Sequence, residues 1–184
     1  SVNDRPQRPD QATARPGDVI LHSQPLYGGT ETLLTRTLAN YGIAAHGFTD
    51  GLDPAAIQYA ADAAGKCGRL SLVVIETPSN PLATLVDIAA VRAAADRMGQ
   101  ATGLRPLVLC DNTMLSPVFQ QPLLHGADMV VASLTKYIGG HSDAIGGAAL
   151  TNDAALHETI KFHQNAVGGV PGPMDAWLTM RGAK

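Results

Sequence analysis

Between residues 16 and 151, short β-branched or aliphatic runs alternate with longer stretches whose apolar residues recur at helical spacing, and few architectures accept that alternation. Strands are predicted over 18–22, 72–77, 107–111, 129–133 and 147–151. Helices are predicted over 31–41, 54–66, 88–100, 118–125 and 154–165, with a last one beginning at Pro173 or Met174. Thr30, Asp53, Asp87 and Asp153 each precede a periodic segment as a capping side chain. Pro54 falls in a first turn, where its missing N–H is not needed. Strand then helix, repeated, implies right-handed crossovers and an α/β fold: a mostly parallel sheet with helices on both faces.

The ends read differently from the middle. Residues 1–15 hold three arginines and two prolines and little that can be buried, so they are expected to be a disordered tail or a remnant of something longer. A single domain is expected over 16–184. The terminal helix has no following strand, and an enzyme on such a sheet would add a further domain or a subunit to close its site, so the chain is expected to be truncated.

Composition narrows the ligand class. A net charge of −3 with no block of like charges gives no footprint for nucleic acid or an anionic membrane, which leaves small molecules. No apolar stretch reaches the roughly 18 residues that cross a bilayer, and no apolar signal core opens the chain. Two cysteines, Cys67 and Cys110, are too few for a disulfide scaffold, and Cys110 lies in an apolar run that reads as a buried strand. A cytoplasmic protein fits these features. The histidines lack metal-ligand spacing, so no metal site is expected, and His141 in its glycine-rich loop reads as a structural hydrogen-bonding residue.

In open parallel sheets ligands bind beyond the C-terminal ends of the strands. Those positions are polar here: Thr77-Pro78-Ser79-Asn80-Pro81, Asp111-Asn112-Thr113 and Ser133-Leu134-Thr135-Lys136. An amine, a carboxylate, an amide and hydroxyls at one sheet edge match the needs of a pyridoxal cofactor. Its aldehyde takes an amine, Lys136; its ring nitrogen takes an acid, Asp111; its phosphate takes hydroxyl donors, Ser133 and Thr135.

Three separated blocks carry a family resemblance: ETPSNP at 76–81, CDNTMLSPVFQQPLLHGAD at 110–128 and SLTKYIGGHSDAIGG at 133–147. They resemble the signature blocks of the Cys/Met-metabolism pyridoxal-phosphate enzymes, which include cystathionine γ-synthase, the cystathionine lyases and methionine γ-lyase. The resemblance implies the large, cofactor-binding domain of the aspartate-aminotransferase-like fold (fold type I), with the C-terminal domain missing. It implies that Lys136 forms the Schiff base with pyridoxal 5'-phosphate and shuttles protons, and that Asp111 pairs with the pyridinium nitrogen. Ser133 and Thr135 would hold the phosphate. Asn80 resembles the amide that bonds the ring oxygen, and Tyr27 in QPLYGGTETLL the tyrosine that stacks on the ring and assists proton transfer.

The implied activity is carbon–sulfur chemistry on a sulfur amino acid or homoserine ester, first as a methionine γ-lyase-like lyase and second as a γ-synthase or sulfhydrylase. Homo-oligomers, dimers or tetramers, are the implied assembly. Three family features are not found: a Gly-Met phosphate turn upstream of Pro16, an N-terminal arm supplying a Tyr and an Arg, and a C-terminal arginine for the substrate carboxylate. Arg181 and Lys184 lie in a stretch similar to the family's RG-x-K segment and receive no chemical role. Against the enzyme stands a truncated, non-catalytic paralogue that binds cofactor or assembles with a partner.

Overall fold

The computed structural model of the protein describes residues 14–184. Most of the expected tail therefore lies outside the described residues; Arg15 is bonded to Asp18 through its backbone N–H and C=O.

Six strands form one sheet: β1 (Asp18–Ser23), β2 (Ala44–Phe48), β3 (Arg69–Glu76), β4 (Leu107–Asp111), β5 (Met129–Ser133) and β6 (Gly147–Leu150). Their order is β2-β1-β3-β4-β5-β6, with every pair parallel except the antiparallel β5–β6 edge. The α/β reading with a mostly parallel sheet is therefore correct. Strand β2 was not predicted. Its sequence, AAHGF, is poor in β-branched residues, and it becomes a strand by pairing along β1 at the sheet margin.

Side chains alternate between the two faces, and each face has its own core. On one, Val19, Leu21, Val73, Ile75, Val108 and Cys110 pack under α2 (Pro54–Cys67) and α3 (Ile88–Thr102) through Ile57, Ala61, Ala64, Val91, Ala94 and Ala95. The alanines let these helices sit close to the sheet. Asp53 and Asp87 cap them as expected, accepting from the amides of Ala55 and Ala90. On the other face Ile20 and Val74 pack against Leu26, Leu34 and Ile43.

That second face is covered by a helical stretch that changes pitch. It begins as α1 (Gly28–Thr32), loosens into a π turn (Leu33–Thr37) and tightens into a 3-10 turn (Leu38–Tyr41). Tyr27, not Thr30, is its N-cap residue, so the start was placed too late. The predicted helix over 118–125 is two pieces, α4 (Ser116–Phe119) and a 3-10 turn (Pro122–His125). Pro122 disfavours helical geometry for Gln121, which is non-helical at φ −124° and ψ 80°, and Gln120 before it is extended. Helices α5 (Ala154–Val167) and α6 (Pro173–Gly182) follow β6, with Asp153 capping α5 at the Leu156 amide. No helix among the described residues is long and apolar enough to cross a membrane.

At the N-terminal end of the strands, Asp128 joins three elements. Its oxygens accept from both terminal nitrogens of Arg105 at 2.8 Å and from the Val108 amide at 2.8 Å, and Arg92 lies 3.4 Å away. This fixes β4 and β5 in register at the end opposite the polar turns.

Candidate active site

Parallel pairing aligns Glu76 with Asp111 and Asp111 with Val131, so neighbouring strand ends present their side chains on common faces. Counting back by two residues from Glu76 and Asp111 reaches Val74 and Leu109, both of the second core. Glu76, Asp111 and, beyond Val131, Ser133 therefore emerge on the face covered by the helical stretch after Tyr27. The turns carrying Tyr27, Asn80 and Lys136 leave the C-terminal ends of β1, β3 and β5.

Asp111 is held on one side only. Its Oδ1 accepts from the Thr113 amide at 2.9 Å and the Thr113 hydroxyl at 2.6 Å. That hydroxyl in turn accepts from the Ser133 amide at 2.9 Å. Thr113 thus latches the end of β4 to the end of β5, three residues before Lys136. Oδ2 of Asp111, the Ser133 hydroxyl and the Lys136 amine have no hydrogen-bonding partner among the described residues.

Lys136 sits at a kink. Its backbone torsions (φ −95°, ψ −117°) interrupt the π turn Leu134–Ile138. The turn is braced on both sides: Gly140 N–H donates to the Lys136 carbonyl, and the amides of Leu134 and Thr135 reach the Gly146 carbonyl. The Thr135 hydroxyl donates to that same carbonyl at 3.2 Å and accepts from the Gly146 amide at 3.0 Å. Its proton is therefore committed, and in this conformation Thr135 is a strut of the turn. His141 contacts the Gly139 carbonyl at 2.6 Å through Nδ1, the structural role expected of it. Helix α6 docks here as well, with Arg181 paired to Asp143 at 2.6 Å and Gly182 so close to the Ile138 and Gly139 carbonyls that no side chain fits.

Tyr27 and Asn80 are exposed, their side chains without hydrogen-bonding partners among the described residues, while their backbones are pinned. Both amides donate to Glu76, Tyr27 to Oε2 at 2.6 Å and Asn80 to Oε1 at 2.8 Å. The Tyr27 ring lies over Gly29, where a Cβ would come within 2.9 Å of it. Glu76 is itself buried, and its burial pushes the carboxyl above its ordinary value; the two amides pull it down, and the charge of Asp111 adds to the rise.

Sequence reasoning passed over Glu76 and Thr113. Both stand within the quoted motif blocks, at or just beyond a strand end, and that position was the available signal. Asn112 proves architectural: it is buried, donates to the Gln120 carbonyl and accepts from the Gln120 side chain.

The sequence profile of the Cys/Met metabolism PLP-dependent enzymes matches residues 11–184. The chain belongs to this family. A probable cystathionine γ-synthase of Herpetosiphon aurantiacus is 44% identical over 168 residues, which cover 91% of this chain and 49% of the relative. Cystathionine γ-lyase of Bacillus subtilis is 40% identical over 168 residues, covering 91% and 41%. The crystal structure of an apo methionine γ-lyase from Micromonospora echinospora matches with a TM-score of 0.83 at 38% identity, over 95% of this chain and 43% of that one. The chain spans about half the length, or less, of the relatives it matches. Its sheet is that of the fold type I members of the family, as the motif blocks implied.

The family's cofactor fits the donor set. A pyridinium N–H needs one acceptor, and Asp111 has one oxygen latched and the other open. An aldehyde needs an amine free of ion pairs, and Lys136 meets that requirement among the described residues.

Proposed function

We propose that the protein is a pyridoxal-phosphate-dependent enzyme of sulfur amino-acid metabolism that makes or breaks a carbon–sulfur bond, at the γ carbon of a small amino-acid substrate. The observation that carries this reading is the Asp111–Thr113–Ser133 latch standing beside the kinked Lys136 turn. Relatives named γ-synthase, at 44% and 43% identity, and relatives named γ-lyase, at 40%, support the reaction class.

When bound, pyridoxal 5'-phosphate supplies an electron sink conjugated with the substrate's α-carbon. Lys136 Nζ would hold its aldehyde carbon and, once released by substrate, carry the α-proton. Asp111 Oδ2 would accept the ring N–H and favour its protonated form. The Ser133 hydroxyl would hold the phosphate, and the Thr135 hydroxyl, which donates to the Gly146 carbonyl here, would join it by turning away from that carbonyl. Asn80 would bond the ring oxygen. Tyr27 would cover a ring face and, through its phenol, assist departure of the sulfur group.

Assembly as a homo-oligomer is part of the proposal. Val118 and Phe119 on α4 and Tyr137 on the Lys136 turn are between 63% and 80% exposed, as surfaces completed by a second subunit would be. The protein is taken to work in the cytoplasm on a sulfur amino acid or homoserine ester.

The test is spectroscopic, then chemical. The intact protein mixed with pyridoxal phosphate should gain an absorbance band near the visible edge, and borohydride should fix the cofactor mass on Lys136. Lys136→Ala should abolish both. A colourless wild-type protein would sink the proposal. Colour without keto acid or thiol from methionine, cystathionine or homocysteine, and without γ-replacement of a homoserine ester by a thiol, would reduce the protein to a cofactor binder.

A further inference from the structure

Glu76 ends β3 and is only 5% exposed, yet it carries an ionisable group. A buried carboxylate is unfavourable unless hydrogen bonds compensate it, and an apolar side chain here would serve the core better. Its two oxygens are used separately, one for the Tyr27 amide at 2.6 Å and the other for the Asn80 amide at 2.8 Å. Those donors come from turns after different strands, and the Tyr27 turn is 49 residues away in sequence.

What the carboxylate fixes is specific. Tyr27 is gripped at both backbone groups, its N–H by Glu76 and its C=O by the Glu31 amide, while its ring stands 55% exposed. Asn80 repeats the pattern, with a bound N–H and an exposed side chain. Fixed backbone with a free side chain is the construction that pre-organises a ligand contact. The raised carboxyl of Glu76 agrees: burial and the neighbouring Asp111 oppose its charge, so the position is held at a disadvantage to stability.

We infer that Glu76 is a positioning residue, which sets Tyr27 and Asn80 in place through their N–H groups so that both side chains meet the cofactor. This rests on the proposed function. Glu76→Gln keeps the shape but offers one acceptor oxygen, so one amide faces an NH2 group instead. Glu76→Asp keeps the charge but withdraws it by one methylene, and serves as the second variant if the first fails to fold.

Two measurements on the intact protein decide the matter. Amide hydrogen exchange without cofactor should quicken about ten-fold at Tyr27 or Asn80 in either variant, with the Ser133 amide unchanged. With pyridoxal phosphate, the induced circular dichroism of the bound ring should change in both variants while borohydride still fixes the cofactor on Lys136. Unchanged exchange, or unchanged dichroism in a cofactor-loaded variant, overturns the inference and leaves the proposed function standing. A wild-type protein that takes up no cofactor overturns both, even where the exchange result shows the two bonds to be real.

Discussion

Replacing Thr113 by valine tests the latch that ties Asp111 to the end of β5, the strand that leads into the Lys136 turn. The substitution preserves volume and β-branching but removes the hydroxyl, and with it two bonds: 2.6 Å to Asp111 Oδ1 and 2.9 Å from the Ser133 amide. A bond to an ionised carboxylate contributes about 1.5–3 kcal/mol, and one between neutral groups about 0.5–1.5 kcal/mol. Thr113 is half-buried, so water replaces part of each, and the lower end of the sum, about 2 kcal/mol, is the expected loss. The Thr113 amide still reaches Asp111, so the carboxylate is loosened and not released.

In urea, with a slope of about 2 kcal/mol per molar, that loss moves the unfolding midpoint of the cofactor-free protein down by about 1 M. Thr113→Ser keeps the hydroxyl and loses only a methyl group, so its midpoint should move by less than half as much. Pyridoxal phosphate titrations should rank the variants in the same order, wild type and serine together, valine weaker. Equal midpoints for valine and serine would refute the reasoning, since the hydroxyl would then contribute nothing.

Asp128→Ala removes the bidentate partner of Arg105 and the acceptor of the Val108 amide at the opposite end of the sheet, while Asp96 stays within reach of both arginines, so it should lower stability by about 1.5–3 kcal/mol, read as a urea midpoint. Burial alone would raise the Asp18 carboxyl, but the Arg69 side chain and the Arg15 amide bonded to it, with the Arg69 charge, hold it below its ordinary 3.8. Its ionised form therefore adds stability that is complete above pH 3.8 and is lost as pH falls through the lowered value, and Asp18→Asn should flatten that acid limb in thermal melts followed against pH. Burial, with the charges of Asp111 and Glu76, pushes the Cys110 thiol up to about 12, so native protein at pH 8 should be alkylated at exposed Cys67 alone, as read by mass spectrometry.

The parts of this fold legible in sequence are those where local chemistry and tertiary packing agree. Strands β4 and β5 are bounded as predicted, and Asp53, Asp87 and Asp153 cap the helices assigned to them, because apolar period and capping side chain point the same way. Legibility fails where one element's conformation is set by another. AAHGF becomes β2 only because β1 offers an edge, and the stretch 28–41 changes pitch instead of forming one helix.

The site divides in the same manner. Lys136, Asp111 and Ser133 are nominated by groups suited to the proposed cofactor at or just beyond the ends of readable strands, and Asn80 and Tyr27 by segments that resemble the family's. Glu76 and Thr113 are not, because their importance lies in bonds to backbone amides across strands, and a sequence does not record which amide a carboxylate will meet. Thr135 shows the converse, a hydroxyl of suitable type and position whose proton is taken by Gly146. Residue type thus nominates the groups that can face a ligand, while the register of the strands decides which of them are held and which are left free. The open oxygen of Asp111 is the product of that second selection: the same Thr113 that makes Oδ1 unavailable leaves Oδ2 as the acceptor the ring nitrogen would find.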